Sequence, residues 1–201
     1  MGGCAVGIFV GGQGQRMGGV AKGRLRHEGR PLIERLVSAV REATSPEPGH
    51  LYLVGAATAY ADVGLPSLDD APAGKGPIGG LRALLEAAHG AGVDAIALAV
   101  DLPYLRADLV RRLLHEAPGA VALAPRQAGR WQPLVARYRP ARVLPVVDAA
   151  LGVGSTSLQA IFEGLRVAGQ PAVELVLSAD ELRSIDDWDL PSDLPPDAAP
   201  R

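Results

Sequence analysis

The start of the chain joins an apolar strand to a glycine-rich loop that carries two cations. The largely apolar run Val6–Val10 leads directly into Gly11, and Arg16 and Lys22 lie among and after the further glycines Gly12, Gly14, Gly18 and Gly19. A buried strand followed at once by such a loop presents backbone N–H groups and positive charge to an anion. The arrangement therefore predicts a phosphate-binding loop at the carboxyl end of the first strand.

Two better-known glycine loops do not fit this segment. A Walker A loop requires Gly-Lys-Ser/Thr, but Lys22 is followed by Gly23. A dinucleotide-binding fingerprint counted from Gly12 has Met17 at its third glycine position, and Leu32 stands where the ribose-binding acid is expected. The loop is thus neither a P-loop nor a dinucleotide-binding turn.

Composition and charge narrow the class of protein. With 201 residues, 48% of them hydrophobic, the chain is long enough for one well-cored domain. A formal net charge of −2 gives no broad basic surface for nucleic acid. A single cysteine, Cys4, forms no internal disulfide, and no apolar run approaches the roughly 20 residues of a membrane span. We expect a cytoplasmic protein that binds neither nucleic acid nor membranes.

Strand-like and helix-like segments alternate along the chain. The apolar runs without strict alternation, typical of strands covered on both faces, are Ala5–Val10, Leu51–Val54, Ala95–Val100, Ala120–Ala124, Leu134–Ala136 and Val173–Leu177. Stripes of helical period follow Pro31, Pro77 and Asp108. This alternation predicts a single three-layer, Rossmann-like α/β domain over residues 1–194, with a mostly parallel sheet and its ligand site at the carboxyl ends of the strands. The Pro-, Asp- and Ala-rich residues 195–201 are expected to be disordered.

A carboxylate leaves the sheet at the end of the run Ala95–Val100. Asp101 follows that run directly, and Pro103 forces the chain out of the strand. The aspartate is thereby expected at the rim of the sheet on a rigid element. Because Mg²⁺ is usually held by one or two carboxylates together with substrate phosphates, Asp101 is a candidate Mg²⁺ ligand.

The first loop resembles the nucleotidyltransferase signature L-A-G-G-x-x-x-R-M-G-x-x-K. Val10–Lys22 departs from it by Val-Gly in place of Leu-Ala and by an extra glycine before the lysine. Asp101-Leu102-Pro103 matches the strand-Asp-x-Pro motif in which such enzymes carry their metal aspartate, and Gly76–Leu81 is similar to a G-P-L-A-G loop. Among nucleotidyltransferases the chain looks most like the molybdenum cofactor guanylyltransferases.

The resemblance implies roles for particular residues. Arg16, Lys22 and Asp101 would be catalytic, with Asp101 holding Mg²⁺. The nucleotide would contact Val10, Gly11, Gly12, Gln13, Gly14, Lys22, Asp69, Asp70, Gly76, Pro77 and Asp101. The spacing leaves open which of the two adjacent aspartates faces the nucleotide, and we favour Asp70.

Two later segments also resemble the family. The strand Gly129–Tyr138 is similar to one that faces the second substrate, although Trp131 alone is also typical of a core or rim aromatic. Gly154–Ile161 is similar to a helix start, where serines at 155 and 157 can equally be N-caps. In Ser184–Leu194, Asp186 falls at a position that supplies another metal carboxylate in related enzymes, but Trp188-Asp189-Leu190 interrupts the motif.

The reaction implied is transfer of GMP from GTP to the phosphate of molybdopterin, with Mg²⁺ and release of pyrophosphate. Proteins that deliver or accept the cofactor would be further partners. Two alternatives stay open: a cytidylyltransferase or other nucleotidyltransferase that acts on a different phosphorylated acceptor, and a nucleotide-binding module without turnover. An NAD(P)-dependent enzyme is disfavoured by the broken glycine fingerprint.

Overall fold

A computed structural model describes residues 3–11, 20–44, 49–188, 193–195 and 198. The strands are β1 (Cys4–Phe9), β2 (Arg26–His27), β3 (Arg30–Pro31), β4 (His50–Val54), β5 (Ser67–Leu68), β6 (Asp94–Ala99), β7 (Ala122–Ala124), β8 (Arg126–Gln127), β9 (Arg130–Trp131), β10 (Val135–Tyr138) and β11 (Val173–Glu174). The helices are α1 (Leu32–Ala43), α2 (Pro77–Gly90), α3 (Ala107–His115), α4 (Pro140–Gly152), α5 (Gln159–Val167) and α6 (Ala179–Leu182).

Seven of these strands form one central sheet in the order β11-β7-β10-β6-β1-β4-β5. Every neighbouring pair in it is parallel except the two pairs that involve β10, which runs antiparallel to both β6 and β7. The predicted mostly parallel sheet is confirmed. The remaining strands form two small hairpins, β2-β3 and β8-β9, which the apolar pattern does not predict because each strand has only two residues.

Each face of the sheet is covered by helices. All six residues of β1 are buried; Val6 and Ile8 pack in the core beneath α1 and α3, whereas Ala5 and Phe9 pack in the core beneath α2, α4 and α5. Burial on both faces explains why this strand is a continuous apolar run, since each large aliphatic side chain buried contributes roughly 1.5–3 kcal/mol. The three-layer prediction is confirmed.

The order of the strands creates a crevice between β1 and β6. The chain leaves β1 towards β4 on one side, and it leaves β6 towards β10 and β7 on the other. In open α/β sheets, ligands bind at such a switch point, outside the carboxyl ends of the strands. Hydrogen bonds from Val10 N to Val54 O (3.0 Å) and from Val100 N to Phe9 O (3.2 Å) continue the ladder to the floor of this crevice.

Ala198 contacts the β2-β3 hairpin. Ala198 is fully buried, and its carbonyl accepts a hydrogen bond from Arg26 N (2.8 Å). This small apolar residue packs beside Leu25, Leu32 and Trp188, and the disorder expected over 195–201 stays a prediction. The other residues of that tail that the structure describes are limited to Pro195.

Two further features of the described residues bear on earlier expectations. No helix among them is both long and apolar enough to traverse a bilayer. The cysteine, Cys4, is buried in β1, and burial, with a smaller contribution from Asp94, raises the pKa of its thiol to about 11. It is therefore an unreactive neutral thiol at physiological pH.

Candidate active site

Lys22 and Asp101 meet at the crevice between β1 and β6. Lys22 Nζ lies 2.8 Å from Asp101 Oδ2, and their side chains are only 18% and 16% exposed. The two residues are 79 positions apart in the chain. The topology brings them together because the loop after β1 and the turn after β6 leave adjacent strands at the same edge of the sheet.

A cavity of about 280 Å³ opens on this ion pair. Its wall includes seven of the residues assigned to the nucleotide by resemblance: Val10, Gly11, Lys22, Asp70, Gly76, Pro77 and Asp101. The rest of its wall is Phe9, Val54, Gly55, Ala56, Ala99, Val100 and Leu134. The end of β1, the end of β6 and the start of α2 thus surround one cavity.

Close approach of two glycines shapes the floor of this cavity. Gly55 has a positive φ of 93°, and a Cβ on it would lie 3.0 Å from Gly11 Cα. Only glycine at position 55 permits both the backbone conformation and this contact between the ends of β1 and β4. The backbone of the first loop is consequently exposed to a ligand at Gly11, with no side chain in the way.

Asp70 rather than Asp69 faces the cavity. Asp70 is half-buried in the wall, with a carboxylate oxygen close to Gly55 and Gly80, whereas Asp69 is exposed. Burial, and secondarily the charge of Asp69, raise the pKa of the Asp70 carboxyl. Keeping a charge at this position has a cost in folding free energy, which is typical of a residue retained for binding.

A second, larger cavity of about 530 Å³ adjoins the first. Asp101, Ala99 and Leu134 belong to the walls of both cavities. The β8-β9 hairpin forms much of the second wall, so Asp101 lies at the boundary between two spaces that could each hold one substrate.

Aromatic and amide side chains lie in and beside the wall of the second cavity. Trp131 stacks on Phe162 with ring centroids 4.8 Å apart, and the Arg126 guanidinium lies 4.3 Å from the Trp131 ring centroid. Gln159 Nε2 donates to the Trp131 carbonyl (2.8 Å). A ligand with a polar edge suits such a wall, because the neighbouring amides offer donors and acceptors.

The two adjacent acids near the end of the chain point to different partners. Asp186, which the resemblance assigns to a metal, is exposed and accepts a hydrogen bond from Gln127 Nε2 (2.8 Å). Asp187 lies in the wall of the larger cavity with Asp101. The described residues contain no cluster of three or more His, Cys, Asp or Glu side chains suited to a metal. One or two carboxylates do, however, fit Mg²⁺ that is shared with substrate phosphates.

Several expected site residues lie outside the described part of the chain. Residues 12–19 contain Gly12, Gln13, Gly14 and Arg16, so their roles stay predictions. The sequence reasoning gave no role to Tyr60, and it treated Trp188 only as an interruption of a motif. Tyr60 contacts the residue that follows Lys22, since Gly23 N donates to Tyr60 Oη (3.0 Å), and Trp188 contacts Asp101 itself, since Trp188 N donates to Asp101 O (3.0 Å). In the sequence, the interruption of the motif at Trp188 is the signal that could have indicated a role for this residue.

Comparison with known proteins identifies the family to which this chain belongs. The family model described as MobA-like NTP transferase domain matches residues 6–169. This chain belongs to the MobA-like NTP transferase family. It is 39% identical over 163 residues to the molybdenum cofactor guanylyltransferase of Pseudomonas putida, with 78% of this chain and 80% of that protein covered. It is 36% identical over 170 residues to the protein of that name from Cereibacter sphaeroides, with 82% and 84% covered.

Solved structures share the fold. Molybdopterin-guanine dinucleotide biosynthesis protein A from Archaeoglobus fulgidus superposes with a TM-score of 0.67 at 23% identity, over 94% of each chain. The 2-C-methyl-D-erythritol 4-phosphate cytidylyltransferase of Thermus thermophilus superposes with a TM-score of 0.66 at 18% identity, over 95% of each chain. The nucleotidyltransferase fold is therefore confirmed.

Proposed function

We propose that this protein transfers GMP from GTP to the terminal phosphate of molybdopterin, in a Mg²⁺-dependent reaction that releases pyrophosphate. The observation that carries the proposal is the Lys22–Asp101 ion pair at the junction of two cavities. The names of the relatives that are 36–39% identical support the choice of guanine nucleotide and pterin acceptor.

The reaction needs positioning and charge neutralisation more than acid–base catalysis. An oxygen of the acceptor phosphate forms a bond to the α-phosphorus of GTP, and the bond from that phosphorus to the oxygen bridging to the β-phosphate breaks. The acceptor phosphate is already anionic at neutral pH, so no protein base has to remove a proton. The protein's task is to hold the two reactants in line and to stabilise the charge that develops on the phosphoryl oxygens.

The smaller cavity is assigned to the nucleotide. The backbone N–H of Gly11 and those of the loop that follows it are assigned to phosphate oxygens, and Lys22 is assigned to the charge of the departing pyrophosphate. Asp70 and the start of α2 at Gly76 and Pro77 are assigned to the base and ribose, where glycine leaves the backbone accessible. Arg16 is assigned to the phosphates with Lys22.

The larger cavity is assigned to the pterin acceptor. The polar edge of its ring system would meet the amides of Gln132 and Gln159 in the wall beside Trp131. An acceptor placed there presents its phosphate towards Asp101, which belongs to both cavities.

Oxygen ligands at the junction fit Mg²⁺. Asp101 would hold the ion, with Asp186 or its neighbour Asp187 as a second carboxylate, and phosphate oxygens and water would complete the shell. When bound there, Mg²⁺ neutralises negative charge on the triphosphate. Asp101 also fixes the Lys22 ammonium at 2.8 Å, so the same carboxylate organises both positive charges.

The test is a panel of nucleotides with one acceptor. Purified protein is incubated with molybdopterin, Mg²⁺ and one of GTP, CTP or ATP, and both pyrophosphate release and the mass of the pterin product are measured. We expect a product heavier by one GMP unit with GTP, and little product with CTP or ATP. Product with CTP alone would replace guanylyl by cytidylyl transfer. Nucleotide binding without pyrophosphate release for any nucleotide would make the protein a binding module.

A further inference from the structure

The backbone that carries Lys22 is anchored by a tyrosine from another part of the chain. Lys22–Arg24 forms a single 3-10 turn, and the N–H of Gly23 donates to Tyr60 Oη at 3.0 Å. Tyr60 is only 1% exposed, and it comes from the segment Thr58–Val63 that follows β4. The hydrogen bond is buried and joins positions 37 residues apart.

Gly23 is wedged between this tyrosine and the end of β6. A Cβ at Gly23 would lie 2.6 Å from Val100 Cγ2 and 2.8 Å from Tyr60 Cε1, so neither neighbour leaves room for a side chain. Val100 immediately precedes Asp101. Gly23 therefore lies in close contact with both Tyr60 and Val100, so the residue after Lys22 packs beside the residue before Asp101.

The tyrosine itself is held firmly. The Arg24 guanidinium lies 5.2 Å from the ring centroid, and its Nε donates to the carbonyl of Ala59 (2.9 Å). Arg24 also pairs with Asp62. Burial raises the pKa of the Tyr60 hydroxyl, so the phenol remains neutral at physiological pH and its oxygen accepts the bond from Gly23.

We propose that Tyr60 is a positioning residue for Lys22, which acts through the Gly23 N–H to hold the ammonium at Asp101 in the geometry that the transition state requires. The inference rests on the proposed nucleotidyl transfer. Tyr60 does not touch the reactants in this account; its hydroxyl fixes the direction in which the Lys22 backbone enters the crevice.

The Tyr60→Phe variant isolates this role. It keeps the ring that packs against Gly23 and removes only the acceptor oxygen, which leaves a buried N–H without its partner. Since Lys22 is assigned to charge that develops in the transition state, we expect kcat to fall by about tenfold while KM for GTP changes by less than about threefold.

A spectroscopic readout makes the test independent of turnover. The chain contains only two lysines, Lys22 and Lys75. Protein labelled with ¹³C-lysine therefore gives two side-chain Cε–Hε correlations, which a Lys75→Arg variant assigns. We expect Tyr60→Phe to shift the Lys22 correlation and to narrow the separation of its two Hε signals, while the Lys75 correlation stays in place.

Two controls separate positioning from a general loss of stability. Tyr52→Phe removes a hydroxyl in the middle of β4, where its contact is His50 Nδ1 at 3.4 Å, and we expect unchanged kinetics. Val147→Ala makes a void in the core beneath α4, and we expect lower stability with the Lys22 signal unmoved.

The outcomes are distinguishable. A Tyr60→Phe protein with wild-type kcat and an unmoved Lys22 correlation overturns the inference, even if Lys22→Ala abolishes activity. Equal changes in the Lys22 signal of Tyr60→Phe and Val147→Ala also overturn it, because the effect would then follow stability. If Lys22→Ala retains full activity, the catalytic role assigned to Lys22 fails, and the Lys22 signal alone then decides whether Tyr60 positions this side chain. If the parent protein forms no guanylylated pterin, the proposed function fails, and the same signal again decides the inference on Tyr60.

Discussion

The backbone N–H of Trp188 donates to the carbonyl oxygen of Asp101 at 3.0 Å. Its indole is only 2% exposed and forms edge-to-face contacts with His27 and Tyr104, with centroids 5.6 and 6.4 Å away. His27 belongs to the hairpin that follows Lys22, and Tyr104 follows Asp101 in the turn after β6. The C-terminal segment thus ties together the two chain segments that carry the ion pair.

Replacing Trp188 by alanine should weaken both the fold and the reaction. A buried tryptophan removed from a packed site typically costs about 3–5 kcal/mol of unfolding free energy. We expect a lower urea midpoint and a reduced kcat for pyrophosphate release. Trp188→Phe, which keeps a ring against His27 and Tyr104, should recover most of both. An alanine variant that loses stability but keeps full kcat would show that this segment does not position Asp101.

Asp70→Asn should stabilise the fold and weaken the binding of GTP. The pKa of the Asp70 carboxyl is raised in the folded protein, chiefly by burial, so its ionisation opposes folding above the unfolded-state pKa. We expect the variant to be more stable than the parent at pH 7, with the difference disappearing as the pH falls below the ordinary range of an aspartate. We expect its affinity for GTP to drop.

Urea denaturation across pH and titration with GTP measure these two effects. Asp69→Asn is the matched control, because it removes the neighbouring exposed carboxylate. It should change GTP affinity much less. Loss of stability at pH 7 in Asp70→Asn would contradict the assigned sign.

Gly23→Ala should impair activity through a single methyl group. The new Cβ would meet Val100 Cγ2 at 2.6 Å and Tyr60 Cε1 at 2.8 Å, so the turn after Lys22 has to move away from the end of β6. We expect kcat to fall by about tenfold or more, because displaced catalytic groups lose rate steeply. Gly119→Ala adds the same methyl where nothing lies within 4 Å, and it should retain normal kinetics. Equal rates for the two variants would argue against a fixed Lys22 backbone.

Asparagine variants of Asp186 and Asp187 should differ in the Mg²⁺ concentration that the reaction needs. Asp187 shares the larger cavity with Asp101, whereas Asp186 accepts a bond from Gln127 in the β8-β9 hairpin. We expect Asp187→Asn to raise the Mg²⁺ concentration needed for half-maximal rate. Asp186→Asn should chiefly raise KM for molybdopterin, since it loosens the hairpin beside that cavity. A larger Mg²⁺ effect in Asp186→Asn would favour Asp186 over Asp187 as the metal ligand.

The sequence predicts the framework well because the framework depends on burial. A strand buried on both faces has to be continuously apolar, which identifies β1 and β6, and Pro103 indicates where Asp101 leaves the sheet. The direction of β10 was not predictable, since a short apolar run looks the same in either orientation.

The supporting contacts of the site are less visible in the sequence. Tyr60 lies in an alanine-rich segment without periodicity, and only the folded chain brings its hydroxyl to Gly23. The assignment between Asp186 and Asp187 depends on a shift of one residue, which a gapped motif match does not resolve. The spacing in the sequence does not decide between Asp69 and Asp70, and the place of Asp70 in the cavity wall supplies a physical reason to favour it.

The most direct test of the central claim is a double-mutant cycle on the ion pair. Rates of pyrophosphate release from GTP with molybdopterin are measured for the parent, Lys22→Ala, Asp101→Asn and the double variant, each confirmed as folded by circular dichroism. We predict that each single change lowers kcat by about 10² to 10³ and that the double variant is scarcely slower than the worse single one, because the groups act as a unit. Full activity in either single variant would contradict the account.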